Sequence, residues 1–335
     1  MRRAGGDRVV VLVGASSGIG RATAHRLARR GDRLVLASRS TAALEATARE
    51  CAARAPGGRR PLAVPTDVRD RVAVTALLDA AWAAHGRVDA VVDLAAVMVY
   101  GRFEEVPPQV FDDVVATNLL GAANVAREVV RRFRAQGHGH LVLVGSLLGA
   151  IPAPWVSAYV TSKWGLHGLA DSLRVETRDA PRLHVSLVMP GGVDTPIYLR
   201  AGSYAGREGR PPVPVDPPEK VARGMVRLLD HPRPRLSVGR ANRPWAAGFR
   251  LAPRLFEALV RPGMTYLGLS RRPVAPHPGA VRDAAYGIEA VHGRWPRTRR
   301  RRVTLRVAAV VAVLGVRRAV RRTVDARRSG SAQQP

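Results

Sequence analysis

Tyr159 stands four residues before Lys163 in Ala158-Tyr159-Val160-Thr161-Ser162-Lys163-Trp164, a spacing that puts phenol and ammonium on one face of a helix. A phenol titrates near pH 10, so proton transfer at neutral pH asks for a lowering of about three units, roughly 4 kcal/mol of differential stabilisation. A compact ammonium favours the phenolate, and a bound cationic ring would add to its effect. Lysine is scarce in this chain: of 54 basic residues 52 are Arg, leaving Lys163 and Lys220. A composition so biased towards Arg that still keeps Lys at this position points to a chemical requirement. Alone, Y-x-x-x-K also fits an ordinary helix face, so the elements around it decide.

Those elements alternate strand and helix. Val9–Val13 is a continuous β-branched run, as in a parallel strand buried on both faces. It leads into Gly14-Ala15-Ser16-Ser17-Gly18-Ile19-Gly20 and a helical stretch, Arg21 to Arg30, closed by Gly31. Strand, glycine loop and helix together aim backbone N–H groups and a helix N-terminus at a diphosphate. The spacing G-x-x-x-G-x-G meets the need for tight turning and close backbone approach, although a glycine-rich turn without a ligand would read similarly. A second strand, Arg33 to Ala37, ends in Ser38-Arg39. An acidic residue there would accept from a ribose 2′-hydroxyl, whereas a hydroxyl and a planar cation suit a 2′-phosphate, favouring NADP over NAD.

A third strand, Leu62 to Pro65, precedes Thr66-Asp67-Val68, where Asp67 is either a helix cap or a partner for an adenine amino group. A fourth, Val88 to Val92, exits through Asp93-Leu94-Ala95-Ala96. The helical pattern from about Pro108 to Arg134 embeds Asn118 among apolar positions, where a buried amide needs partners. A fifth strand, Leu141 to Gly145, ends at Ser146, and a sixth, Leu183 to Val188, leads to Met189-Pro190-Gly191-Gly192-Val193-Asp194-Thr195. The alternation predicts an α/β fold, a doubly wound parallel sheet forming a single main domain. Ligands bind such sheets beyond the carboxyl ends of the strands, and every motif above lies at one of those ends.

Over roughly residues 7–240 the sequence resembles the short-chain dehydrogenase/reductase family: Gly14, Gly18 and Gly20, then Asp67, Asn118, Ser146, Tyr159 with Lys163, and Pro190-Gly191 with Thr195 fall in order at family-like spacing. The resemblance implies a Rossmann-like fold and hydride transfer between NADP(H) and a carbonyl or secondary alcohol. Tyr159 would be the general acid or base, Lys163 would lower its pKa and hold the nicotinamide ribose, Ser146 would bind the substrate oxygen and Asn118 would position a relay water. The implied cofactor-binding set is Gly14, Ser16, Ser17, Gly18, Ile19, Gly20, Ser38, Arg39, Asp67, Val68, Ala95, Tyr159, Lys163, Pro190, Gly191, Val193 and Thr195. Two departures bear on it: Asp93-Leu94-Ala95-Ala96 replaces the usual Asn-Asn-Ala-Gly, and Val13 stands where Thr is common. The alternatives are a nucleotide-binding scaffold without turnover and a membrane-associated adaptor.

Beyond the dehydrogenase-like region, 1–240, residues 241–296 read as a proline-rich cover on the core with one amphipathic helix, Pro253–Leu259, and 297–335 as a basic, apolar tail. Pro196 to Pro218 has the Pro and Gly content of a substrate lid. The formal charge is +28, but residues 294–328 hold thirteen Arg against Asp325 and so supply 12 of those units. Within the tail, Val303–Val316 makes about 21 Å of helix, short of a bilayer core of about 30 Å. That favours interfacial contact with anionic lipid over a span. Without aromatic interleaving the tail does not read as a nucleic-acid site. Cys51 is the only cysteine, which excludes an internal disulfide and a Cys-based metal site and fits a reducing cytoplasm. No metal is expected. The resemblance implies a homo-oligomer, dimer or tetramer, packed through the helices bearing Asn118 and Tyr159.

Overall fold

The computed structural model describes residues 7–295. In chain order the elements are β1 (Val9–Val13), α1 (Gly18–Arg29), β2 (Arg33–Ser38), α2 (Thr41–Ala52), β3 (Leu62–Pro65), α3 (Arg71–His85), β4 (Ala90–Asp93), β5 (Val99–Tyr100), α4 (Pro108–Val115) and α5 (Ala122–Gln136). There follow β6 (Gly139–Val144), α6 (Ser157–Glu176), β7 (Leu183–Pro190), β8 (Gly192–Val193), β9 (Ala201–Ser203), β10 (Arg207–Gly209), β11 (Val215–Asp216), α7 (Pro218–Asp230) and β12 (Arg235–Val238). The last are α8 (Asn242–Leu251), α9 (Pro253–Leu267), β13 (Leu269–Pro273) and β14 (His277–Gly279).

Seven strands form one sheet in the order β12-β7-β6-β4-β1-β2-β3, with every pairing parallel. The strands explain themselves by their side chains. Along β1, Val9, Val11 and Val13 join one apolar cluster with residues of α3, α5 and α6, while Val10 and Leu12 join a second with residues of α1, α2 and α7. Both faces are therefore covered, which is why the strand reads as unbroken valine and leucine rather than as an alternation. The helices start and stop on local chemistry. The Asp70 carboxylate accepts from the Val72 N–H at 2.8 Å to cap α3, and left-handed Gly86 and Gly137 end α3 and α5.

The helical stretch predicted from Pro108 to Arg134 runs on to Gln136, but a π-helical segment, Ala116–Gly121, separates α4 from α5 and contains Asn118. The predicted lid is more ordered than a loop: β9, β10 and β11 lie in it and pair with β14, β13 and β8. Two of those partners come from the region beyond residue 240, which carries α8 and a longer α9 than the sequence pattern suggests, with Pro262 inside it. Its contribution to the lid is invisible to periodicity because each pairing joins strands about 60 to 75 residues apart. Among the described residues no helix is long and apolar enough to cross a membrane; the tail considered for lipid contact lies outside them.

His140 on β6 shows how the buried sheet handles a titratable group. The Ser186 hydroxyl donates to Arg233 O at 2.6 Å, so it accepts from His140 Nε2–H at 2.8 Å. Nδ1 has no hydrogen-bond partner among the described residues, and burial with His184 alongside pushes the imidazole from 6.5 down to about 3. The unfolded chain takes up this proton first. Stability from the neutral form is therefore intact above pH 6.5 and is lost as pH falls from 6.5 through about 3, by at most about 1.4 kcal/mol per pH unit. Urea midpoints of His140→Leu should accordingly fall less steeply than those of the wild type between pH 6.5 and 4; parallel slopes would place the acid sensitivity elsewhere.

Candidate active site

A cleft of about 230 Å³ runs along the carboxyl edge of the sheet. Its wall includes Gly14, Ser16, Ser17, Gly18, Ile19 and Gly20 from the first loop, Ser38 and Arg39 after β2, Val68, Ala95, Ser146, Tyr159 and Lys163, and Pro190, Gly191, Val193 and Thr195 after β7. Of the residues predicted from sequence, Asp67 and Asn118 alone do not line it. The Asp67 carboxylate is gripped by Arg69, whose Nη2 donates at 2.6 Å, and α3 is capped by Asp70 instead.

The loop is built for close approach. A Cβ on Gly20 would sit 2.1 Å from Gly14 O, and one on Gly14, at φ +83°, would sit 2.8 Å from Ala95 N. Gly18, at φ +54°, faces Thr195. These contacts press the exits of β1 and β4 and the first turn of α1 together, leaving the helix N-terminus turned into the cleft, where its dipole favours an anion. The departure at Asp93–Ala96 is accommodated by geometry: Asp93 Oδ1 accepts from the Ala95 N–H at 3.1 Å, which fixes the turn that Gly14 leans on. Burial pushes the Asp93 carboxyl up to about 6, opposed by the Ala95 N–H and by the Lys163 ammonium.

Ser146 begins a 3-10 turn after β6 and accepts from the Leu148 N–H at 3.1 Å. Behind it lies His167, a residue that sequence reasoning missed. Its Nε2 is 3.5 Å from Ser146 N, and a Cβ on either Gly145 or Gly149 would come within 2.4 Å of that nitrogen. Burial pushes His167 down to about 4, which leaves Nε2 free to accept from the Ser146 N–H. The only signals available for this residue were two flanking glycines and a histidine on the catalytic helix.

Lys163 is 2% exposed and donates to Val144 O at 2.9 Å, with Nζ 5.6 Å from the centroid of the Tyr159 ring. Burial pushes its ammonium down to about 8, and the Asp93 carboxylate works in the opposite direction. From the sequence, Lys163 is expected to lower Tyr159. In the protein by itself desolvation prevails and Tyr159 is pushed up to about 12, with a hydrogen bond from Ser146 opposing the rise. Asn118 is fully committed: Oδ1 accepts from the Val97 N–H at 2.8 Å, and Nδ2 lies 2.9 Å from Val97 O and 3.1 Å from Ser162 Oγ. It ties the chain after β4 to the helix that carries Tyr159 and Lys163.

The family model for short chain dehydrogenases matches residues 8–203. The chain belongs to the short-chain dehydrogenase family. Among its relatives, the uncharacterized oxidoreductase YxnA of Bacillus subtilis is 31% identical over 299 residues, covering 88% of this chain and 83% of that protein. Among solved structures, a variant of actinorhodin polyketide ketoreductase with NADPH aligns with a TM-score of 0.61 at 26% identity, covering 70% of this chain and 97% of that one. A short-chain dehydrogenase/reductase from Burkholderia phymatum in complex with NAD matches in fold, with a TM-score of 0.67 at 24% identity over 82% of this chain and 99% of that one. This short-chain dehydrogenase is thus an oxidoreductase, and its solved neighbours include complexes with both NADP and NAD.

Replacing Asn118 by Ala would strand both the N–H and the carbonyl of Val97 in a fully buried position. At about 1–3 kcal/mol for each of the two orphaned groups, Asn118→Ala should lose roughly 2–6 kcal/mol in urea denaturation; a loss below about 1 kcal/mol would mean the amide is not a structural tie.

Proposed function

We propose that the protein is an NADP-preferring carbonyl reductase or secondary-alcohol dehydrogenase, with Tyr159 as general acid in reduction and general base in oxidation. The observation that carries the reading is that Ser146, Tyr159 and Lys163 share one cleft wall with the Gly14–Gly20 loop and Arg39. NADPH, when bound, supplies a hydride to the carbonyl carbon and leaves as NADP+. The Ser146 hydroxyl holds the substrate oxygen, and the Tyr159 hydroxyl gives that oxygen its proton, so C=O becomes CH–OH. The Lys163 ammonium balances the phenolate left behind and holds the nicotinamide ribose. Asn118 acts here as a positioning residue that keeps helix α6 in register with the chain after β4.

Met98, Tyr100, Val156, Tyr198 and Met264 give the catalytic end of the cleft an apolar lining, which suits a substrate with hydrocarbon surface around its carbonyl. Ser38 and Arg39 are the groups for the 2′-phosphate, and Asp67 would reach the adenine amino group only by leaving Arg69. We further propose a homo-oligomer packed through the helical stretch bearing Asn118 and the helix bearing Tyr159, where Leu120 of the π-helical segment and Trp164 of α6 are 57% and 44% exposed, and a cytoplasmic enzyme. Residues 241–296 act as a cover on the core, and lipid contact through 297–328 remains part of the proposal.

The test is turnover of a panel of aliphatic and cyclic ketones with NADPH and NADH. Tyr159→Phe should lower kcat by about 10²–10⁴-fold while leaving the Kd for NADPH within about threefold of the wild type. Arg39→Asp should weaken NADPH by at least about tenfold and NADH much less. Nucleotide binding without turnover of any carbonyl, unchanged in Tyr159→Phe, would support the scaffold instead.

A further inference from the structure

The groups that should receive a nucleotide's phosphates already have partners, and nearly all of those partners come from one late segment of the chain. The Gly18 N–H donates to Ala290 O at 2.8 Å. Glu289 Oε2 accepts from Ser40 Oγ at 2.7 Å, and Oε1 accepts from Ser16 Oγ at 3.3 Å and from Arg200 Nη1 at 2.9 Å. Arg39 donates through Nη2 to Ala280 O at 2.7 Å and through Nη1 to Val281 O at 3.4 Å. Arg21 Nη1 donates to the Glu289 carbonyl at 2.7 Å.

This arrangement places a carboxylate where the fold gathers donors for an anion. The Arg200 and Glu289 side chains are only 13% and 14% exposed, so each charge depends on the other. Two hydroxyls and a guanidinium around one carboxylate make the donor set that a phosphate would take. The segment is anchored at both ends and held along its length by polar contacts. At one end β14 pairs with β9, and Ala280 N donates to Arg200 O at 2.8 Å. At the other, Asp194 binds His292 Nδ1 at 3.0 Å, Gly293 N at 3.0 Å and Trp295 N at 2.8 Å. Between these anchors it has no helix or strand: Val281 is buried and Arg282 pairs with Asp113 at 2.9 Å near its start, while residues 283–290 are held by Glu289 and by Arg200, which donates to Ala284 O and Tyr286 O.

We propose that residues 280–290 are an intrachain latch, in which Glu289 stands in for a phosphate and NADPH must displace it to bind. The inference rests on the cofactor reading above. Glu289 and a phosphate cannot share Ser16 and Ser40, because like charges at hydrogen-bond separation repel. The latch lowers apparent affinity by the fraction of molecules that are open. A dinucleotide with a 2′-phosphate competes best, since it can also reclaim Arg39 from Ala280 and Val281. The extension beyond residue 240 therefore governs access to phosphate donors that the dehydrogenase region supplies.

The experiment titrates the full chain, wild type and Glu289→Gln, with NADPH, following energy transfer from tryptophan to the nicotinamide, and measures association by stopped flow. Glu289→Gln keeps the shape and removes the charge. The latch predicts NADPH binding about tenfold tighter in the variant, gained mainly in the association rate, and faster amide exchange over 283–291 of the wild type once NADPH is bound. Equal or weaker binding in the variant, or protection of 283–291 by NADPH, overturns the latch and leaves the cofactor reading standing. If neither protein binds NADPH, the cofactor reading falls and the latch with it.

Discussion

The structure depends on a backbone contact that only glycine permits. With Gly14 left-handed and Gly20 lacking a Cβ, the end of β1, the first turn of α1 and the turn after β4 occupy a space in which any added methyl would collide with main chain. The consequence reaches past the loop. Once α1 is drawn in this far, its N-terminal dipole faces the cleft, and the strands that deliver Ser146, Ala95 and Thr195 end on the same edge. The cleft is what remains between elements packed this closely, and its chemistry is set by which residues terminate each strand.

Burial then sets the electrostatics. Tyr159, Lys163 and Asp93 are all removed from water, and desolvation pushes each towards its neutral form: the phenol and carboxyl up, the ammonium down. The three oppose one another's shifts only in part, since Asp93 and Lys163 are coupled while Tyr159 has Ser146 as its opposing partner. Asp93 therefore has a clear electrostatic role in this chain. Where the family has an amide, a carboxylate supports the charge on Lys163 and also holds the Ala95 turn. That double engagement explains how an altered segment beside the glycine loop is compatible with an intact set of Ser146, Tyr159 and Lys163.

What the sequence revealed and what it hid divide along contact distance. Strands such as Val9–Val13 and Leu141–Val144 announce themselves because burial on both faces writes an unbroken apolar run. The glycine loop and Tyr159–Lys163 are legible because the chemistry needs neighbours within a helical turn or a loop. Asn118 was recognisable as a buried amide, but its partners, Val97 and Ser162, lie 21 and 44 residues away. His167 is marked only by the glycines beside it, and Arg200 has no local signature. Glu289 is the extreme case: it meets Ser16 across 273 residues and Ser40 across 249. Nothing in the composition near it marks it as part of a nucleotide cleft, whereas Arg39 could be singled out from its place at the end of β2.

Converging positive charge explains why an acidic residue is needed there. Arg39, Arg200 and Arg21 converge on one end of the cleft in a chain of formal charge +28, and half-buried cations in such company are stable only with oxygen partners. Carbonyls of 280, 281, 284, 286 and 289 supply most of them, the Glu50 carboxylate pairs with Arg21 at 2.6 Å, and the Glu289 carboxylate pairs with Arg200. A site that must attract a polyanion cannot satisfy its cations permanently without losing the attraction. A carboxylate on a segment without helix or strand, held by polar contacts, meets both demands: it neutralises the cluster in the closed protein and can be exchanged, donor for donor, for a phosphate.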